Sequence, residues 1–164
     1  MKILIGLAIV CFTTYCGRFC ARKYRLRKHF FGQFYEFNER FLNEIAYYRR
    51  PLMEFAVKYP YKGEFQKLIE GFFGTLRQKT TKDTGVHGLL DEYDFLKADE
   101  KVFAGDYLTM IGKGDSGSQK EYFSGVRKQL SDYKEESAKE CERYGNLYLK
   151  LGFLLGLAVL VLIV

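Results

Sequence analysis

The chain is poor in the residues on which most enzymes and metal proteins rely. It has two histidines, His29 and His87, and neither has a sequence-local partner that would build a triad. An incidental surface or packing role is the reading for both. Four cysteines occur without one CxxC pair: Cys11, Cys16 and Cys20 in or beside an apolar run, and Cys141 alone. Cys16 and Cys20 can share a helical face, but no histidine stands by to complete a metal site. Lipidation at either thiol stays open. The glycine-rich segment Gly112-Lys113-Gly114-Asp115-Ser116-Gly117-Ser118 lacks Gly-Lys-Ser/Thr in order and follows no strand, which argues against a phosphate loop and for a helix connection. No strand pattern competes anywhere, and no internal repeat is visible. Catalytic, cofactor-binding and metal-ligating residues are expected to be absent, and the chain is read as a non-enzyme without a small-molecule substrate.

Charge is missing where it would matter most. Residues 151–164 carry no charged or strongly polar side chain. A helix of that composition needs a non-aqueous neighbour on every face, and lipid is the commonest one. A second apolar run, Ile3–Gly17, lies at the other end of the sequence. Residues 149–164 span roughly 24 Å as a helix, against about 30 Å of hydrocarbon. A buried core helix is the competing reading for that run, and it would keep a polar stripe that this one lacks. For Ile3–Gly17 the competitor is a cleaved signal peptide. Basic residues follow it at once with no convincing small-x-small cleavage site, which suits a retained anchor.

Acidic residues are also absent from the first 28 positions, which hold seven Lys or Arg; the remaining chain has 19 against 20 acidic residues. The formal net charge of +6 is therefore a juxtamembrane collar, Arg18, Arg22, Lys23, Arg25, Arg27 and Lys28, and not a nucleic-acid surface. Its default roles are topology and attraction to anionic headgroups. With Lys134, Lys139, Arg143 and Lys150 preceding the second run, the positive-inside rule places residues 18–148 in the cytoplasm. The expected division is a transmembrane segment over 1–17, a cytoplasmic helical domain over 18–148 and a second transmembrane segment over 149–164.

What is present between the anchors is helical periodicity. Phe30, Phe34, Phe37, Phe41, Ile45 and Tyr48 recur at steps of three and four on a helix that runs on from the first apolar segment. Arg49-Arg50-Pro51 ends it, because the residue before proline is pushed out of the α region. Pro51 then opens a short helix facing inward through Leu52, Phe55, Ala56 and Tyr59, which Pro60 closes. Phe65, Leu68, Ile69, Phe72, Phe73 and Leu76 fit the next helix, in which Gly71 and Gly74 point to close helix contact. Residues 78–88 read as a loop, and Leu89–Gly112 as a helix bent near Asp99 or Gly105. A final stripe, Phe123, Val126, Leu130, Tyr133, Ser137, Cys141, Tyr144 and Tyr148, leads into the terminal apolar run. Ser118-Gln119-Lys120-Glu121 matches a capping box at its start, with Asp115 the rival cap. The fold class is all-α, one antiparallel helical bundle flanked by membrane helices.

Gly152 and Gly156 form a Gly-xxx-Gly pair, and the expected mate is the first segment, where Thr13, Gly17 and Ala21 repeat the spacing. Arg49 and Arg50 are the candidate contact for an acidic partner, with a solvated helix end as the alternative.

Four segments follow one another along the chain: Thr13-Thr14 with Gly17, Glu44-Ile45-Ala46-Tyr47 with Pro51-Leu52-Met53-Glu54, Ile111-Gly112 with Asp115 and Gln119, and Tyr148-Leu149-Lys150-Leu151-Gly152-Phe153-Leu154-Leu155-Gly156-Leu157. Together, in this order, they resemble the stage III sporulation protein AB family. The chain departs from the family pattern in being richer in Phe and Tyr, in Arg49-Arg50, and between residues 78 and 100. The resemblance implies a cytosolic helical domain similar to that of the type II secretion platform protein F. It further implies a place in the mother-cell membrane around the forespore, as a platform between a secretion-type ATPase and other channel proteins. Self-association stays open. The alternative is a generic double-anchored helical adaptor unrelated to sporulation, which the absence of a neighbouring secretion-type ATPase gene would favour.

Overall fold

A computed structural model describes residues 2–47, 59–77, 83–113 and 115–163. Those residues are mostly helical, with no strand among them. Helix α1 is Lys2–Tyr47, α2 Gly63–Arg77, α3 Asp83–Asp91, α4 Ala98–Met110, α5 Ser116–Gly125 and α6 Arg127–Glu140; a π-helical turn, Cys141–Gly145, leads into α7, Asn146–Ile163. Arg49, Arg50, Pro51 and most of the short helix expected after them lie outside the described residues.

The chain forms two compact units. One comprises residues 29–134 and the other pairs residues 1–28 with 135–164. Helix α1 passes without a break from one to the other, as its proline-free sequence dictates. The helical pairing therefore reaches beyond the two apolar runs, to Lys28 and Glu135.

In the central unit the core is aromatic. Phe30, Phe34, Phe37 and Phe41 follow the helical spacing of α1 and are all buried, as are Phe65 and Phe72 of α2, Tyr107 of α4 and Phe123 of α5. The rings interlock edge to face: Phe34 lies 4.7 Å from Tyr107, Tyr107 4.8 Å from Phe123, and Phe41 4.9 Å from Phe123. Each such pair adds about 0.5–1.5 kcal/mol to its area burial. One polar relay crosses this core. The Tyr107 hydroxyl donates to Asn38 Oδ1 (2.9 Å), and Asn38 Nδ2 donates to the Phe123 carbonyl (3.3 Å). That carbonyl belongs to the last turn of α5, where the helix leaves acceptors unsatisfied. Burial holds the Tyr107 phenol well above its ordinary pKa and pushes Tyr61 and Tyr93 up to about 12.

Four local expectations are corrected. Residues 83–88, read as loop, belong to α3: Leu90 is buried, and Val86 and Leu89 pack on the core, so tertiary burial overrides the weak propensity of Thr and Gly. The bend expected near Asp99 or Gly105 falls instead at residues 92–97, where the Tyr93 and Leu96 amides bond back to Leu90 and Tyr93. Glu100 fixes the restart of the helix by accepting from the Lys97 amide at 2.9 Å. Asp115, not Ser118, caps α5: its carboxylate accepts from the Gly117 and Ser118 amides. These bonds, led by the Ser118 hydroxyl, lower its pKa. The glycine freedom of this connection is used at Gly112, whose φ of 79° closes α4. Gly74 has no neighbour within 4 Å, and a methyl on Gly71 would meet only the Leu89 side chain at 3.5 Å. Close helix contact at that pair is absent.

Candidate functional site

The chemistry of interest lies in the paired-helix unit, in a crossing and a band of cations. At the crossing α1 and α7 approach through backbone. A methyl group added to Gly17 would stand 2.6 Å from the Tyr148 carbonyl oxygen, and one on Gly152 would stand 2.7 Å from the Thr13 carbonyl oxygen and 3.2 Å from Gly17 Cα. One on Gly156 would stand 2.8 Å from Val10 Cα and overlap the Thr13 hydroxyl. Backbone cannot yield as a flexible side chain can, so glycine is required at all three positions. The Thr13 hydroxyl is satisfied within its own helix, bonding to the Ile9 carbonyl at 3.0 Å, and Ala21 is fully buried one turn beyond Gly17. The structure thus brings Thr13, Gly17, Gly152 and Gly156 together.

Away from this crossing, much of the two apolar runs is exposed. Leu7, Phe12, Tyr15 and Phe19 of α1 are exposed, and so are Leu151, Phe153, Leu154, Leu155, Leu157, Val161 and Leu162 of α7. Among the described residues one helix, Ser116–Leu162, is long and apolar enough to cross a membrane, and 17% of its most apolar stretch is buried.

The collar residues separate into two kinds. Arg18, Arg22, Lys23 and Lys28 are exposed and Arg25 is half-buried, its guanidinium donating to the Arg18 carbonyl at 3.3 Å. None of these five is paired with a carboxylate among the described residues. Arg27 differs. It is buried and ion-paired with Glu136, at 3.5 Å, and with Glu140, so its charge is neutralised inside the unit and is withdrawn from the collar. Helical spacing of Glu136 and Glu140 puts both carboxylates on one face, which is the signal sequence reading passed over.

Beside the collar three tyrosines gather. Tyr24 stacks on Tyr144 at 5.4 Å and on Tyr148 at 6.0 Å, with Lys23 Nζ 5.1 Å from the Tyr24 ring and the Arg143 guanidinium 5.4 Å from the Tyr144 ring. The π-turn at Cys141–Gly145 carries Tyr144 within this cluster, and such insertions concentrate at functional positions. Tyr144 and Tyr148 stand on the expected stripe; Tyr24 is the partner that periodicity alone did not name. No group of three His, Cys, Asp or Glu able to hold a metal occurs among the described residues. His29 is exposed, and the His87 side chain lies outside the description.

A family model described as stage III sporulation protein AB matches residues 2–164. No curated protein and no solved structure matches the chain.

Proposed function

Since this chain belongs to the stage III sporulation protein AB family, we propose that it is a non-enzymatic membrane platform of the stage III sporulation complex, coupling a cytosolic secretion-type ATPase to the channel between mother cell and forespore. Family membership ties it to stage III of sporulation. The platform reading draws its main support from one contrast. Among the described residues, twelve of the fourteen large apolar side chains that are exposed fall in the paired-helix unit, at residues 7–19 and 147–162. Solvent water is a poor neighbour for that surface and hydrocarbon a good one. The central unit, an antiparallel bundle of the type II secretion protein F kind, is then the part left in the cytoplasm to meet partners. Its aromatic core gives a stiff body that passes on position or force.

In this reading residues 1–17 and 149–164 lie in the mother-cell membrane, and Arg49-Arg50 offers a cationic contact to an acidic face of the ATPase. Deleting the gene should stop spore formation after engulfment, with engulfment itself intact. Changing Arg49 and Arg50 to Glu should leave insertion and helicity unchanged and weaken co-purification of the ATPase. Normal spore yield from the deletion strain would refute the platform, and wild-type ATPase recovery with the double reversal would remove that corner. A probe at Ser131 should be missed by impermeant thiol reagents outside intact cells, while a thiol added after Val164 is labelled.

A further inference from the structure

The cation band poses a question that topology does not answer. Orientation needs an excess of positive charge near the apolar run, and it is indifferent to whether carboxylates neutralise single members. Here Arg27 is internalised by Glu136 and Glu140, while Arg18, Arg22, Lys23, Arg25 and Lys28 have no carboxylate partner among the described residues. Five uncompensated charges within 11 residues repel one another unless an anion lies among them.

The direction of the charges says which anion. At about 100° per residue Arg18, Arg22 and Arg25 fall within about 60° of one another, while Lys28 and Lys23 lie about 80° and 140° from Arg18 on opposite sides. The five together sweep about 220° of the helix circumference and exceed any single face. An acidic protein surface meets one face of a helix, whereas headgroups surround it. The band also overlaps the end of the exposed apolar surface, since Phe19, 66% exposed, lies between Arg18 and Arg22. The stacked Tyr24, Tyr144 and Tyr148 add amphipathic rings of the kind that settle at headgroup level.

We propose that Arg18, Arg22, Lys23, Arg25 and Lys28, flanked by the Tyr24–Tyr144–Tyr148 stack, form a ring selective for anionic phospholipid headgroups. The inference rests on the membrane reading above and adds selectivity between lipids and the residues that supply it, Arg27 excluded. A headgroup with one net negative charge and no ammonium, as in phosphatidylglycerol, meets the cations without importing a competing positive charge. Zwitterionic phosphatidylcholine brings its own.

The test uses the full chain reconstituted in phosphatidylcholine bilayers containing a trace of spin-labelled phosphatidylglycerol or spin-labelled phosphatidylcholine. The fraction of motionally restricted label is read for each. At low salt the anionic lipid should associate about three- to fivefold more strongly than the zwitterionic one, and 1 M salt, with a screening length of about 3 Å, should bring the ratio near one. Joint change of the five residues to Gln should do the same at low salt. Equal association in the wild type, or a ratio that survives the five substitutions, overturns the proposal; equal association would point to an acidic protein surface as the ligand instead. A restricted component of the same size for both labels still shows a chain in contact with lipid, so the membrane reading survives that result. No restricted component with either label overturns both.

Discussion

The two units solve opposite solvation problems with similar residues. Phenylalanines in residues 29–134 are driven inward: Phe30, Phe31, Phe34, Phe37, Phe65, Phe72 and Phe123 are each at most 1% exposed. Phenylalanines in the paired-helix unit face outward, Phe12 at 68%, Phe19 at 66% and Phe153 at 49%. Packing differs in the same sense. The central unit holds its helices apart with large interlocked rings, and the paired helices come together through glycine backbone. The first pattern is what water imposes on a helical core. The second fits the proposed membrane setting, where no hydrophobic force acts between helices and close van der Waals approach has to supply the contact.

The sharpest way to break that comparison is to delete the same ring in each unit. Phe34→Ala removes a fully buried side chain that contacts Tyr107 and Phe65, at 4.7 and 5.3 Å, and should cost about 3–5 kcal/mol in denaturant titration. Phe153→Ala should cost less than about 0.5 kcal/mol in the same assay, as an exposed position does. Equal losses would mean that Phe153 has a protein core around it.

Glycine gives the next test. Gly152→Ala drives a methyl into the Thr13 carbonyl and should destabilise the helix pair by about 1–3 kcal/mol. Its opposite, Gly74→Ala, enters open space on α2 and should stabilise by up to about 1 kcal/mol. A neutral Gly152→Ala would show that the helices do not cross at backbone distance.

The central unit also buries the Tyr107–Asn38–Phe123 relay, and breaking it is a test of similar size. Asn38→Ala strands the Tyr107 hydroxyl and the Phe123 carbonyl and should cost about 1–3 kcal/mol. The buried phenols add a pH signature. Tyr61, Tyr93 and Tyr107 have folded pKa values raised above 10.0 by burial, so the folded state holds their protons when the unfolded chain has lost them. Their stabilisation is complete below pH 10 and falls as pH rises from 10 through about 12. Alkaline melts should show that decline, and Tyr107→Phe should make it shallower.

Periodicity made the all-helical fold and most of the core legible, because Phe30 to Phe41 and Phe65 to Phe73 leave one face to bury. Proximity of Thr13, Gly17, Gly152 and Gly156 was legible too, since small residues at four-residue spacing mark where backbones can approach. Three things were hidden. Helix α3 is held by contacts distant in sequence, so its Thr- and Gly-containing first turns read as loop. The cap at Asp115 competed with a Ser118 box of equal local merit, and geometry chose the carboxylate. Arg27 looked like one more collar cation because charge counting does not see which side of a helix meets Glu136 and Glu140.

Central to the account is that hydrocarbon covers the paired-helix unit and water covers the other. Nitroxides at Leu155 and Lys128 in the full chain, reconstituted in bilayers after the native cysteines are replaced, report this by collisional relaxation. The Leu155 label should be relaxed by oxygen and shielded from a water-soluble nickel chelate, with the reverse at Lys128, which is exposed in α6. Equal access of the nickel chelate to both labels would contradict the account.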